Sequence, residues 1–217
     1  MNKSHIADKI RSKESIIGVI GLGYIGIPLA MRFIDESFKV YGFEINHNKV
    51  DKLKSGKSYI NNISSSKISS AIKNGFCPST SFENINKTDV IIICVPTPLK
   101  PNKDPDLSYI HGTLDLIKPF LKENQTLILE STTYPGTTEE LIVPLIQSMG
   151  FKIGNNFFIG YSPEREDPGN KRYNTKNIPK IVSGFSKICL EIVNDLYSEI
   201  IEKTIPVKSI KVAEMTK

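Results

Sequence analysis

The sequence predicts an α/β fold in which helices cover both faces of a mostly parallel, doubly wound sheet. Two observations predict it. Apolar, strand-like runs alternate with helix-compatible stretches along most of the 217 residues. The runs at 16–20 and 90–95 are almost continuously apolar, as strands buried on both faces of a sheet are. We therefore expect these two runs to be central strands.

The remaining elements follow the same alternation. The expected strands are the runs at 16–20, 38–43, 90–95, 126–130, 156–160 and 180–183. The expected helices are the stretches at 24–36, 46–55, 65–74, 107–121, 137–149 and 186–200. Asp106 is a candidate N-cap, and Thr137 with Glu140 has the spacing of a capping box. Gly75 and Gly150 are candidate C-terminal caps.

We expect one large domain at 15–205. The polar segment 1–14 before it reads as a frayed lead-in or a short helix, and 206–217 reads as the start of a connecting helix. Hydrophobic residues make up 39% of the chain and charged residues 24%, a balance typical of a folded soluble protein rather than of a disordered one.

Charge and apolar patterning exclude several classes of partner. The 28 basic and 23 acidic side chains leave a scattered excess of +5, so we expect no nucleic acid partner, and this mild charge suits ligands that carry diphosphates. No apolar run is long enough for a membrane span, and the N-terminus lacks the apolar core of an export signal. We expect no membrane partner.

The three cysteines, Cys77, Cys94 and Cys189, are widely spaced and form no zinc-binding pattern. We expect no metal site, and reduced thiols in a cytoplasmic protein. Cys94 lies inside an apolar run, which indicates a buried structural thiol rather than a nucleophile.

A glycine-rich turn joins the first expected strand to the first expected helix. Gly21 permits the tight turn, Gly23 lets the backbone approach a pyrophosphate, and Gly26 lets the helix pack closely on the strand. Phosphates bound there, beside Tyr24 and Ile25, would face the helix N-terminus, which favours anions. The pattern indicates a Rossmann-like dinucleotide site.

An acid at the end of the second expected strand supports this interpretation. Glu44 lies about 20 residues after the glycines, where a ribose-binding carboxylate belongs. Its charge would repel the additional phosphate of NADP, so NAD is the expected cofactor. Lys49 could contact a phosphate or the adenine face, or it could be a solvated lysine on the next helix.

Three further loops follow expected strands and should converge at one edge of the sheet. They bring the loop that begins with Val95, Pro96 and Thr97 close to Thr132, with Glu164 beside the two threonines. A carboxylate and hydroxyl groups together could hold a water molecule and move its proton. The alternatives are that Thr97 forms a turn, that Thr132 caps a helix, and that Glu164 belongs to a solvated acidic loop.

Together these motifs resemble the UDP-glucose/GDP-mannose dehydrogenase family from about Ile16 to the end of the chain. The matching segments are 21–28, Glu44, 95–98, 105–109, 130–132, 162–164 and 213–217. The loops at 95–109 and 162–170 look most like the UDP-N-acetylglucosamine 6-dehydrogenase branch, which supplies surface polysaccharide synthesis. The UDP-glucose branch usually carries a second acid at the position of Pro168.

The resemblance implies an NAD-dependent oxidation of a UDP-sugar at C6, from alcohol to carboxylate, with two NAD per sugar. The residues that would contact the cofactor after the third and fourth strands are Val95, Pro96, Thr97 and Thr132. Thr132 and Glu164 would position the catalytic water, and Lys217 would stabilise the oxyanion. In the family the chain continues through a dimer-forming helix into a second domain with a catalytic cysteine. We therefore expect this sequence to be the N-terminal portion of a homodimeric or larger enzyme, and to bind NAD weakly without turnover.

Two alternatives stay open. The first is a family member with another substrate, UDP-glucose or UDP-N-acetylmannosamine, and only the segment 161–170 bears on that choice. The second is a stand-alone NAD-binding module without catalysis.

Overall fold

A computed structural model describes residues 3–101, 103–164 and 175–216. Across these ranges eight strands form one sheet, in the spatial order β3-β2-β1-β4-β5-β6-β7-β8. The strands are β1 (Ile16–Ile20), β2 (Lys39–Phe43), β3 (Phe76–Ser79), β4 (Val90–Ile93), β5 (Gln125–Leu129), β6 (Phe157–Tyr161), β7 (Lys180–Gly184) and β8 (Thr204–Pro206). The order reverses between β1 and β4, and the predicted doubly wound α/β class is confirmed.

All neighbouring strands pair in parallel except β6 and β7, which are antiparallel. Because of this reversal, the start of β7 lies at the edge of the sheet where β1, β4, β5 and β6 end. The strands β3 and β8 were not predicted. Each is short and contains a proline, Pro78 or Pro206, which is tolerated at the outer strands that they form.

The helices are α1 (Lys3–Arg11), α2 (Gly26–Asp35), α3 (His47–Lys54), α4 (Ser65–Lys73), α5 (Ser108–Ile117), α6 (Val143–Ser148), α7 (Lys187–Ser198) and α8 (Ile210–Met215). Gly75 and Gly150 have φ of +107° and +85° after α4 and α6, as expected of C-terminal caps. Asp106 accepts a hydrogen bond from the Ser108 N–H at 3.0 Å, one residue ahead of its expected position relative to α5.

The capping-box prediction at Thr137 is wrong. A π-helical turn, Thr138–Ile142, precedes α6, and the Thr137 hydroxyl donates back to the Tyr134 carbonyl at 2.7 Å. Glu140 accepts from the Tyr134 hydroxyl instead of from a backbone amide. The free amides of this turn are bound by Glu214, a residue distant in sequence.

Two apolar clusters, one on each face of the sheet, make up the core. Val90 and Ile92 of β4 join the cluster that includes α1, α2, α4 and α7, whereas Ile91 and Ile93 join the cluster that includes α5, α6 and α8. Alternate residues of one strand are therefore buried on opposite faces, which is why the run at 90–95 is continuously apolar.

The two ends of the described chain pack onto this core. Residues 3–11 form the helix α1, whose Ile6, Ala7 and Ile10 are buried. The expected boundary at 205/206 falls inside β8, and α8 follows with Ile210 and Ala213 buried. None of the helices in the described ranges is both long and apolar enough to cross a membrane.

Candidate functional site

A cleft of about 1230 Å³ opens at the carboxyl ends of β1, β2, β4 and β5, where the strand order reverses. Ten of the predicted cofactor-contact residues line this cleft: Gly21, Gly23, Tyr24, Ile25, Glu44, Lys49, Val95, Pro96, Thr97 and Thr132. The remaining one, Gly26, lies behind the turn, where it is buried. The structure therefore brings together residues from four strand ends.

A different geometric feature favours glycine at each of the three positions of the turn. Gly21 has φ of +91°, and a Cβ there would lie 2.8 Å from the Cys94 carbonyl oxygen. A Cβ at Gly26 would lie 2.0 Å from the Gly21 carbonyl oxygen, so any larger residue would push α2 away from β1. Around Gly23 nothing lies within 4 Å of an added Cβ, which leaves open space for a ligand at the backbone.

The beginning of α2 is suited to an anion. Ile25 occupies the N-cap position, and its side chain makes no capping hydrogen bond. In the first turn the Ile27 N–H donates to the Gly23 carbonyl oxygen at 3.1 Å, and Pro28 has no N–H. The positive end of the helix dipole, next to the open space at the Gly23 backbone, therefore favours a phosphate group at this end of the cleft.

Glu44 and Lys49 form a charged pair at the other side of the turn. Glu44 Oε1 accepts from the Asn46 N–H at 3.1 Å, and Glu44 Oε2 lies 3.4 Å from Lys49 Nζ. Lys49 Nζ also lies 5.6 Å from the centre of the Tyr59 ring. Burial and the Glu44 charge raise the pKa of Tyr59 above its usual value. Lys49 is therefore held at the cleft instead of being a freely solvated lysine.

Apolar residues at the cleft mouth were missed by the sequence reasoning. Tyr109, Gly112, Thr113 and Leu116 of α5 line one wall, and their i, i+3, i+4, i+7 spacing is a signal that could have identified a helix face. Ile45 is 65% exposed and Leu116 is 45% exposed. Exposed apolar side chains in a concave site are typical of surfaces that bind a flat organic ring.

The loops after β4 and β5 are tied together. The Ser131 hydroxyl donates to the Val95 carbonyl at 2.7 Å, and Thr132 is exposed in the cleft next to it. Cys94 is buried at the end of β4, as predicted. Thr97 and Thr132 therefore share one cleft, as expected.

Glu164 does not line this cleft and lies in a small separate cavity of about 10 Å³ beside Lys180. Lys180 Nζ is 3.3 Å from Glu164 Oε2 and 3.2 Å from Glu130 Oε2. The expected meeting of Glu164 with Thr97 and Thr132 at the same cleft is therefore not observed, because the buried ammonium group binds the carboxylate. Glu164 itself is not a solvated acid, since it is only 9% exposed, and the rest of the expected acidic loop is not among the described residues. Residues 165–170 lie outside the described residues.

We call Glu130, Glu164, Lys180 and Tyr197 the Lys180 cluster. The Tyr197 hydroxyl donates to Glu130 Oε1, and Lys180 Nζ lies 5.1 Å from the centre of the Tyr197 ring. Glu130 also lines the large cleft, so it joins the two regions. Lys180 was not predicted as a functional residue, because its position depends on the antiparallel pairing of β6 and β7.

Burial dominates the electrostatics of the Lys180 cluster. It raises the pKa of Glu130 to about 7, and the Glu164 charge adds to this, whereas Lys180 and Tyr197 oppose it. Burial lowers the pKa of Lys180, but the two carboxylates raise it by more than burial lowers it. The net pKa is therefore above its usual value, and the ammonium group stays charged. Burial, with Glu130 next, raises the pKa of Tyr197 well above its usual value. One ammonium group does not offset the burial of two carboxylates, so the pKa of Glu130 stays raised. Two carboxylates more than offset the burial of the one ammonium group, so the pKa of Lys180 is raised as well.

Glu214 fixes the end of the described chain to the loop after β5. Its carboxylate is buried and accepts from the Gly136 N–H at 2.5 Å, the Thr138 N–H at 2.9 Å and the Thr138 hydroxyl at 2.8 Å. The helix α8 is thereby bound to the segment that follows Thr132. Lys217, the third predicted catalytic residue, lies outside the described residues.

Comparisons with known proteins agree with this geometry. The sequence model of the NAD binding domain of the UDP-glucose/GDP-mannose dehydrogenase family matches residues 15–201. Protein CapL of Staphylococcus aureus is 39% identical over 204 residues, which are 93% of this chain and 47% of CapL. The UDP-N-acetyl-D-glucosamine 6-dehydrogenase of Pseudomonas aeruginosa is 37% identical over 207 residues, 94% of this chain and 48% of that enzyme.

Solved structures give the same result. The native structure of the UDP-N-acetyl-mannosamine dehydrogenase Cap5O from Staphylococcus aureus superposes with a TM-score of 0.86 at 33% identity, over 93% of this chain and 49% of that one. The chain thus spans about half the length of the curated relatives that it matches.

Proposed function

The chain belongs to the UDP-glucose/GDP-mannose dehydrogenase family as an NAD-binding domain, and from that premise we propose that it is the cofactor half of a UDP-N-acetylhexosamine 6-dehydrogenase. One observation carries this proposal. The glycine turn, Glu44, Thr97 and Thr132 come from four separate strand ends and line a single cleft. That cleft has room for a dinucleotide at one end and for a second ligand beside Thr132.

The cleft fits NAD by its own geometry. The open backbone at Gly23 and the uncapped start of α2 would hold the pyrophosphate, and Glu44 would accept hydrogen bonds from the ribose hydroxyls. The apolar side chains of Ile45 and Leu116 suit a heteroaromatic ring. When bound, NAD supplies the hydride acceptor of the oxidation.

The chain's own residues would order the reacting groups. The exposed hydroxyl of Thr132 can donate a hydrogen bond to a water molecule or to a sugar oxygen. Glu164 would accept the proton of the attacking water as a general base, from its place beside Lys180 and next to Glu130, which lines the cleft. Lys217 would stabilise the developing oxyanion by its positive charge.

The substrate proposed is UDP-N-acetylglucosamine or its epimer UDP-N-acetylmannosamine, oxidised at C6 to the uronic acid with two NAD. The support is that the relatives named above include an enzyme for each sugar. Two of the matching proteins carry the names CapL and Cap5O, which supports a role in making surface polysaccharide. A homodimeric or larger assembly is proposed with it. UDP-glucose is the next substrate to test.

The cofactor proposal is tested by isothermal titration of the 217-residue chain with NAD and with NADP. We expect measurable NAD binding and much weaker NADP binding, because Glu44 repels the additional phosphate. Gly23→Ala is the informative variant, since no protein atom lies within 4 Å of the added Cβ, whereas a pyrophosphate bound against the backbone would meet it. Equal NAD binding by this variant and the parent chain would contradict the proposed site.

Turnover is tested in two steps. The chain alone is incubated with each UDP-sugar and NAD, and we expect no NADH. A chimera then joins this chain to the second half of the Pseudomonas aeruginosa relative, which supplies the part that the chain does not match. We expect two NADH per UDP-N-acetylhexosamine from the chimera. NADH from the chain alone, or one NADH per sugar from the chimera, would contradict the proposed division of labour.

A further inference from the structure

The ammonium group of Lys180 lies between two carboxylates, whose residues follow the ends of two neighbouring strands. Glu130 directly follows β5, and Glu164 lies in the segment that follows β6. Lys180 is the first residue of β7, and the antiparallel pairing of β7 with β6 brings it to the edge where those strands end. Its ammonium nitrogen contacts both carboxylates, at 3.2 and 3.3 Å, and the three side chains are buried.

We propose that Lys180 is a positioning residue, whose ammonium group holds the Glu164 carboxylate at a fixed place behind the cleft wall that Glu130 forms. The proposal rests on the proposed function, in which Glu164 acts as the base. Lys180 would hold this base in place, and Glu130, which Tyr197 orients, would in turn hold Lys180.

The geometry favours positioning over a purely structural ion pair. Replacing a buried ion pair by apolar residues is often neutral or stabilising, so stability alone gives little reason for two acids and one lysine here. Glu130 is itself oriented by Tyr197, which donates to its other oxygen. Tyr197, Glu130, Lys180 and Glu164 thus form a chain of contacts from α7 to the segment after β6.

The arrangement predicts that the two acids titrate together through Lys180. Charged groups face Glu130 from β7 (Lys180) and from the segment after β6 (Glu164), and titratable groups face it from α7 (Tyr197) and from β6 (Tyr161). Cys94, after β4, lies near Lys180 and Tyr197. Because the Glu164 charge raises the pKa of Glu130, removing that charge must lower it. Two carboxylates that are far apart, or that are separated by water, would not respond in this way.

The test follows the side-chain carboxyl signal of Glu130 by NMR across a pH series in the full 217-residue chain. Glu130→Gln assigns the signal. In Glu164→Gln we expect the midpoint of Glu130 to fall by about one pH unit, the shift that a nearby like charge produces. Lys180→Arg keeps the charge and should leave the midpoint unchanged. Lys211→Met removes an exposed ammonium that pairs with Glu139 and should also leave it unchanged.

The same midpoint in Glu164→Gln and in the parent chain would overturn the proposal, and so would an equal shift in Lys211→Met. NAD is titrated into the same samples, so that a failure of the proposed NAD-binding function can be distinguished from a failure of the proposed positioning role of Lys180. Coupled acids in a chain that does not bind NAD would contradict the proposed function and leave the positioning role standing. NAD binding in a chain with uncoupled acids would contradict only the positioning role.

Discussion

The cleft and the Lys180 cluster share Glu130, yet they are built in opposite ways. The cleft owes its shape to backbone: Gly21 has a positive φ, Gly26 touches the Gly21 carbonyl, and Gly23 leaves open space. The Lys180 cluster consists of charged side chains that are removed from water and bound to one another. We therefore expect the stability of the first region to be sensitive to substitution of Gly21 and Gly26, and that of the second to loss of its shared ammonium group.

The largest effect should come from breaking the Lys180 cluster. Lys180→Met leaves two buried carboxylates without their ammonium partner, and we expect the free energy of unfolding at neutral pH to fall by about 3–5 kcal/mol. Urea unfolding followed by circular dichroism measures it. The control, Lys211→Met, removes an ammonium that is 57% exposed and should cost less than about 1 kcal/mol. Similar losses of unfolding free energy in both variants would contradict the expectation that the buried Lys180 cluster depends on its ammonium group more than an exposed ion pair does.

The pH dependence of stability should sharpen the same contrast. The pKa of Glu130 is raised from 4.5 to about 7 in the fold, so the folded protein binds its proton more tightly than the unfolded chain does. The stability that this group contributes is therefore complete below pH 4.5 and is lost as pH rises through about 7. Its loss is on the order of 3 kcal/mol.

This pH effect is measured as the difference between the parent chain and Glu130→Gln in urea unfolding at several pH values. We expect the difference to change between pH 4.5 and 7 and to be flat above that range. A flat difference throughout would mean that Glu130 titrates normally and that the cluster is not water-excluded.

A methyl group in the glycine turn should have a smaller but still clear effect. Gly26→Ala places a Cβ 2.0 Å from the Gly21 carbonyl oxygen, so α2 must shift, at a cost of about 2 kcal/mol in unfolding free energy. NAD affinity, measured by isothermal titration, should fall with it. Gly112→Ala is the matched control for the unfolding free energy alone, because nothing lies within 4 Å of its Cβ and alanine favours the helix α5 by up to about 1 kcal/mol. Unchanged stability in Gly26→Ala would show that the close approach of α2 and β1 is not required.

The smallest effect concerns the ribose end of the cleft. Glu44→Gln replaces a charged acceptor by a neutral one, and we expect NAD affinity to fall about tenfold while the preference for NAD over NADP shrinks. Lys49→Met is the control. Since Lys49 is 41% exposed, its loss should change NAD affinity by less than about fivefold. A larger effect of Lys49 than of Glu44 would reverse the assigned roles.

The fold class, the six main strands and most of the residues that line the cleft could be predicted from the sequence alone. These features depend on local pattern: continuous apolar runs mark buried strands, and glycines between a strand and a helix mark a turn that other residues cannot make. Because parallel strands end at one edge of a sheet, the strand-end residues Glu44, Thr97 and Thr132 could be placed together without any knowledge of their contacts. The residues that form one face of α5 were available from spacing but were missed.

Only the tertiary structure decided where Glu164 lies and what holds it. In a wholly parallel sheet the start of β7 would lie at the opposite edge from Glu130, but the antiparallel pairing of β6 and β7 brings Lys180 to both acids. The direction in which a strand pairs is not encoded in its own alternation of apolar residues, since either direction buries the same faces. Nor does local sequence show that Glu214 binds the amides of a distant turn. Contacts between charged groups far apart in the chain exist only after the core has brought their strands together.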